Sequence, residues 1–246
     1  MATGITHLLL DFFGTIVDYS PSRTQQDYSA TYRLLQRLGS RSAYDEFLTV
    51  ADEIFARFDA RSAIDDREFS MREPSQMILA AALHRQPSVS EVDAFVETYL
   101  ADWSSAVFYP DGMAELLRDL ALRHRLAVVS NTHSSTLVPD HLRAMGVADL
   151  FDAVILSIDV GYRKPHPAMF RAALDTLEIQ ADSALFVGDT YGADYHGPLR
   201  AGIRALLIDP DRSAPIPDTD RLDSLFDLPL RDLRPVLHPG LAESDT

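Results

Sequence analysis

Two regimes of hydrophobic patterning divide this chain. Leu8, Leu9 and Leu10 form an apolar run ending at Asp11, which reads as a buried strand followed by a turn through Phe12, Phe13, Gly14 and Thr15. From about residue 21 to 106 the apolar positions recur at helical spacing instead. Tyr28, Tyr32, Leu35 and Leu38 predict a helix over 23–38, and Phe47, Val50, Ile54 and Phe58 predict a second over 43–58. Pro74 is placed to open a third helix that continues through residues 77–84, because proline fits a first helical turn. Ser90 followed by Asp93 predicts an N-cap ahead of a fourth helix over 94–103.

Beyond residue 107 strands and helices alternate. Helices are predicted over 112–124, 135–145, 167–178 and near 194–201, and strands over 126–130, 153–157, 184–188 and 204–208. That alternation implies an α/β fold: a Rossmann-like parallel sheet with right-handed crossovers and helices on both faces. The helical block then reads as an insertion, residues 19–106, into a core formed by 1–18 and 107–246. The Pro-rich segment 209–220 reads as a loop, and the tail after about Pro235 as mobile.

Composition narrows the partners. The net charge is −15 with a pI near 4.8, so neither nucleic acid nor an anionic membrane would gain electrostatically from this chain. An anionic substrate needs a locally positive site for the same reason. There is no Cys, which excludes disulfides and thiolate chemistry. The N-terminal residues lack a basic region and a long apolar stretch, and no apolar run approaches a membrane span, so a cytoplasmic protein is expected. The sequence sets no oligomeric state. Of 22 basic residues one alone is Lys, Lys164.

Four segments carry the chemistry. LLLDFFGT ends a strand at Asp11; LAVVSNT ends one at Ser130 and Asn131; GYRKPHP holds Lys164; and LFVGDTYGADYHGPLRAGI ends a strand at Asp189, with Asp194 five residues on. In this order at strand ends they resemble the haloacid dehalogenase superfamily of aspartate-nucleophile hydrolases, over about two thirds of the chain. The intervening helices resemble the C1-type cap of that superfamily. The resemblance implies that Asp11 is the nucleophile, and that Thr15, Ser130 and the backbone amides of residues 12–15, with Asn131 nearby, hold the transferred group. It implies that Lys164 neutralises Asp11. Asp11, Asp189 and Asp194, with the main-chain carbonyl of Phe13, would hold Mg²⁺, a hard cation that prefers oxygen ligands.

Phe13 departs from the pattern. Phosphatases of the superfamily carry a second Asp there that protonates the leaving oxygen and activates water, and a positioned acid/base is worth on the order of 10²–10⁴ in rate. The substrate is therefore expected to be a small phosphorylated metabolite whose leaving group needs no proton, unless His133, His166 or Tyr191 substitutes. Haloacid dehalogenases proper carry an aromatic at this position but lack the acidic pair, which makes dehalogenation the alternative; a phospho-ligand-binding protein with little turnover is the other. The phosphonoacetaldehyde hydrolases need a second Lys, and this chain has none. Substrate choice is expected to lie with the helical insertion, whose Arg23, Arg33, Arg57, Arg61, Arg67 and Arg72 the sequence leaves unranked.

Overall fold

Strand β1 (His7–Leu10) is fully buried on both faces, which explains why it reads as a continuous apolar run rather than an alternating one. A computed structural model describes residues 4–20 and 26–230. After β1 come a short strand β2 (Asp18–Tyr19) and four helices, α1 (Ser29–Arg37), α2 (Tyr44–Asp65), α3 (Arg72–Leu83) and α4 (Val89–Ser104). Strand β3 (Val107–Phe108) follows and pairs antiparallel with β2. The remainder runs α5 (Met113–Ala121), β4 (Arg125–Ser130), α6 (Leu137–Ala144), β5 (Phe151–Leu156), α7 (Ser157–Val160), α8 (Pro167–Leu177), β6 (Ala184–Gly188), α9 (Gly197–Arg200), β7 (Arg204–Ile208) and β8 (Arg221–Leu222).

Six strands form one parallel sheet in the order β5-β4-β1-β6-β7-β8. The chain leaves β1, builds outward through β4 and β5, and then returns to lay β6 on the other side of β1. β1 is therefore the switch point, and open α/β sheets take ligands at the carboxyl end of such strands. Leu8 and Leu10 face a core shared with Met113 and Leu117 of α5 and Val138 and Leu142 of α6. Leu9 faces a second core shared with Met169, Phe170 and Ala173 of α8. Helices thus cover both faces. The α1–α4 segment encloses a third apolar cluster, including Leu35, Phe47, Ile54, Ile78 and Phe95.

Several boundaries differ from those the sequence predicts. α1 begins at Ser29 rather than 23; Tyr28 is fully buried, and the Ser29 amide is held by Asp27 Oδ1 at 2.9 Å, a side-chain turn that competes with an earlier helical start. Arg23 and the tail after Pro235 lie outside the described residues. α2 continues seven residues past 58. The N-cap of α4 is Ser88, not Ser90: Ser88 and Glu91 form a reciprocal capping box, which satisfies two backbone donors at once. β8 and the β2–β3 pair were not legible, since two-residue strands carry no period. No helix among the described residues is long and apolar enough to cross a membrane.

Candidate active site

Asp11 is the first residue beyond β1, and its amide donates to Val187 O of β6 at 2.9 Å. Asp11 is buried, 6 % exposed. Lys164 Nζ lies 2.7 Å from Asp11 Oδ1 and 2.7 Å from Asp194 Oδ1, so the single Lys of the chain bridges two carboxylates. Burial opposes the ammonium charge, but Asp11 and Asp194 outweigh it and raise the Lys164 pKa. Burial pushes Asp11 up to about 7, against the pull of Lys164 and with a further push from Asp194. Burial and Asp194 raise Asp189 as well. Three carboxylates share one ammonium here, which leaves two negative charges without a partner when all are ionised.

That deficit fits a divalent cation. Oxygen atoms of Asp11, Asp189 and Asp194 all lie within 4.8 Å of one another, close to the ~4.2 Å that separates opposite ligands across a Mg²⁺ ion. Hard oxygen donors with excess negative charge are the chemistry such an ion requires. Two glycines permit the approach. A Cβ on Gly14, which has φ +87°, would lie 2.2 Å from Asp189 Oδ2. One on Gly188 would lie 2.5 Å from Cβ and Cγ of Asp194. Asp194 sits in a π-helical turn (Tyr191–His196), where the wide turn brings its carboxylate back to accept from the Thr190 amide at 2.9 Å.

The other predicted residues divide into those that face the cavity and those that support it. Phe13, Ser130 and Asn131 line a cavity of about 300 Å³ together with Asp11, Lys164, Asp189 and Asp194. Ser130 Oγ has a contact at 3.5 Å, to Asn131 O, the limit of a hydrogen bond. Both ends of the Asn131 amide engage the Lys164 backbone, at 2.7 and 3.1 Å, so Asn131 positions the lysine. Thr15 does not line the cavity; its hydroxyl lies 3.5 Å behind Asp11 Oδ2. Phe12 packs its ring in the core. The Gly14 and Thr15 amides turn inward, to Val17 O and Phe12 O at 2.7 and 3.4 Å, because the segment folds back on itself through the Phe13–Val17 bridge.

None of the three substitutes for a missing acid stands free beside Asp11. His166 caps α8 through its ring nitrogen and stacks on Tyr162. Tyr191 stacks on Tyr195 and is away from the cavity lining. His133 does line the cavity, but its Nδ1 lies 2.9 Å from Glu68 Oε1 and its ring stacks on Phe69.

Glu68 had no signal in the sequence. It stands in the loop between α2 and α3, and its carboxylate reaches into the α/β layer to meet His133, Arg163 Nη2 at 3.0 Å and Ser157 Oγ at 2.5 Å. Burial alone would raise its pKa, but these partners hold it at about 2. Tyr19, Tyr99 and Trp103 also line the cavity, and no pattern in the sequence singled them out.

The model of the haloacid dehalogenase-like hydrolase family matches residues 5–202. A human haloacid dehalogenase-like hydrolase domain-containing protein 3 is 34% identical over 53% of this chain, a match that spans 55% of that protein. A ribulose-1,5-bisphosphate 5-phosphatase of Halopiger xanaduensis is 24% identical over 85% of this chain and 87% of its own length. In three dimensions the chain is similar to a 2-haloacid dehalogenase from Pseudomonas syringae, with a TM-score of 0.67, 21% identity and coverage of 92% and 97% of the two chains. With the family model spanning most of the chain, and the aspartate, lysine and acidic pair gathered at the switch point, this protein belongs to the haloacid dehalogenase-like hydrolases.

Proposed function

We propose that this hydrolase is a Mg²⁺-dependent phosphohydrolase that works through an aspartyl-phosphate intermediate. The observation that carries this reading is the cluster of buried Asp11 and Asp194 and half-buried Asp189 around Lys164. Asp11, Asp189, Asp194 and the Phe13 carbonyl would hold the ion, which supplies Lewis-acid stabilisation of charge on the phosphoryl oxygens. Asp11 Oδ2 is the freer oxygen, since Lys164 holds Oδ1. It attacks phosphorus, the bond from phosphorus to the leaving oxygen breaks, and the leaving group departs with the electron pair. Water then attacks the same phosphorus, the bond to Asp11 breaks, and the carboxylate and inorganic phosphate are restored with the water proton passing to solvent. Lys164 balances Asp11 and the developing charge, and Ser130 and the amides of Phe12 and Phe13 orient the phosphoryl group.

Phe13 supplies no proton, so the substrate is a small phosphorylated metabolite with a good leaving group. The α1–α4 segment is read as a cap that closes the site from residues 19–106. A relative that bears the name of a phosphatase supports reaction at phosphorus. The aromatic at position 13 favours a second reading, dehalogenation at carbon. Against it stand two further carboxylates beside Asp11, which would repel an anionic haloacid.

Inorganic phosphate release from acetyl phosphate and phenyl phosphate, with and without Mg²⁺, tests the proposal, with Asp11→Asn as the blank. Mg²⁺-dependent release that disappears in Asp11→Asn is expected, with the variant folded. Release retained in Asp11→Asn overturns the covalent mechanism, and halide release from a 2-haloacid in place of phosphate release would favour the second reading.

A further inference from the structure

One wall of the cavity is aromatic. Phe13, at the catalytic turn, Tyr19 of β2 and Trp103 of α4 all line it. Trp103 packs edge-on against Phe13 with ring centroids 5.0 Å apart, and Tyr19 lies 5.8 Å from Phe13 and 6.1 Å from Trp103. The three come from the core, the entering linker and the last helix before the returning one, so this wall is assembled by the tertiary structure. Tyr99, one helical turn before Trp103, extends it.

Cations are few around the cavity. Among the described residues that line the cavity, Arg163 is the one cation besides Lys164. Its guanidinium is engaged by Glu68 at 3.0 Å and lies 3.5 Å from Asp59. None of Arg33, Arg57, Arg61, Arg67 and Arg72 is among the lining residues. A second phosphate or a carboxylate on the substrate would therefore enter without a ready counter-charge. Size agrees with an aromatic occupant: an apolar cavity of about 150 Å³ suffices for benzene, and about 300 Å³ leaves room for a phosphoryl group beside one ring.

We propose that the leaving group is an uncharged aromatic alcohol, so that the substrate is an aryl phosphate monoester with its ring against Phe13, Tyr19 and Trp103. This rests on the phosphohydrolase reading above, and it connects two features of one residue. Phe13 removes the acid that an alkoxide would need, and it supplies a surface for a ring whose oxygen leaves as phenolate. A phenol has a pKa of about 10, low enough to depart unprotonated far more readily than an alkyl alcohol. Ring stacking of this kind contributes roughly 3- to 10-fold in affinity per ring pair.

Trp103 is the sole Trp of the chain, so its fluorescence reports this wall directly. Asp11→Asn titrated with phenyl phosphate is expected to show a saturable change at a concentration at least tenfold below that needed with acetyl phosphate or O-phosphoserine. In wild type, kcat/KM is expected to be higher for phenyl phosphate than for 4-carboxyphenyl phosphate. Trp103→Leu should cut the preference for phenyl over acetyl phosphate about fivefold. Selective binding without phosphate release would support the aromatic wall and overturn the phosphohydrolase reading. Release from acetyl phosphate with no advantage for phenyl phosphate in binding or turnover, or a preference for the carboxylated ring, would overturn the aryl assignment and leave the reaction standing.

Discussion

At the scale of single residues, the site depends on what two side chains lack. Gly14 has no Cβ, and at φ +87° with Asp189 Oδ2 in the space a Cβ would take, Ala strains the backbone and displaces a carboxylate together. Gly14→Ala is expected to lower kcat/KM for phosphate release at least 100-fold and to weaken the Mg²⁺ dependence, read from a titration of activity against the ion. A variant that keeps wild-type Mg²⁺ dependence would show that Asp189 does not need its present place. Phe13 has no proton to give. Phe13→Asp is expected to raise kcat/KM on an alkyl phosphate relative to phenyl phosphate at least tenfold, at a cost in thermal stability from lost ring contacts with Phe12, Tyr19 and Trp103. An unchanged alkyl-to-aryl ratio would mean that position 13 does not govern the leaving group.

At the scale of elements, the loop joining α2 to α3 is fastened to the loops that carry the proposed chemistry. Glu68 meets His133 after β4, Ser157 after β5 and Arg163 beside Lys164, and backbone bonds from Glu68 N to Gly161 O and Met71 N to His133 O frame it. Its folded pKa of about 2 lies below the ordinary 4.5, so the ionised form stabilises the native state. That contribution is complete above pH 4.5 and is lost as pH falls through about 2. Glu68→Gln is expected to destabilise the protein at neutral pH by about 1–3 kcal/mol, because it strands hydrogen-bond partners that the carboxylate now satisfies. The gap from wild type should narrow as pH falls from 4.5 toward 2, measured by chemical denaturation across that range. A gap that stays constant with pH would deny Glu68 a role as an ionised tether. The β2–β3 pair acts at the same scale, joining the two strands through which the chain enters and leaves the helical segment.

At the scale of the whole molecule, an acidic protein gathers three of its carboxylates around one ammonium, an excess of negative charge that a bound divalent cation would relieve. Mg²⁺ at about 100 times its Kd should stabilise the fold by ~2.7 kcal/mol. For a chain of this size that corresponds to a rise of about 5–10 °C in Tm. Asp189→Asn is expected to lose most of that rise. A wild-type Tm that does not respond to Mg²⁺, by calorimetry against an EDTA control, would remove the ion from the proposed function.

The sequence by itself determined the α/β class, the helical nature of the α1–α4 segment and the order of the candidate chemical residues. Those properties are written locally, in apolar period, strand-end position and residue type. Asp11, Lys164, Asp189 and Asp194 were legible because strands that join one parallel sheet deliver their ends to a common edge. The start of α1 at Ser29 and the N-cap of α4 at Ser88 were less legible, because side-chain hydrogen bonds to backbone amides help to set them. Only the tertiary structure decided that Thr15 lies behind the cavity, that Asn131 both lines it and holds the Lys164 backbone, that Glu68 ties the helices to the loops after β4 and β5, and that Phe13, Tyr19 and Trp103 share a wall. These are pairings between residues up to 95 positions apart, and no local pattern encodes which distant side chain will fill a given space.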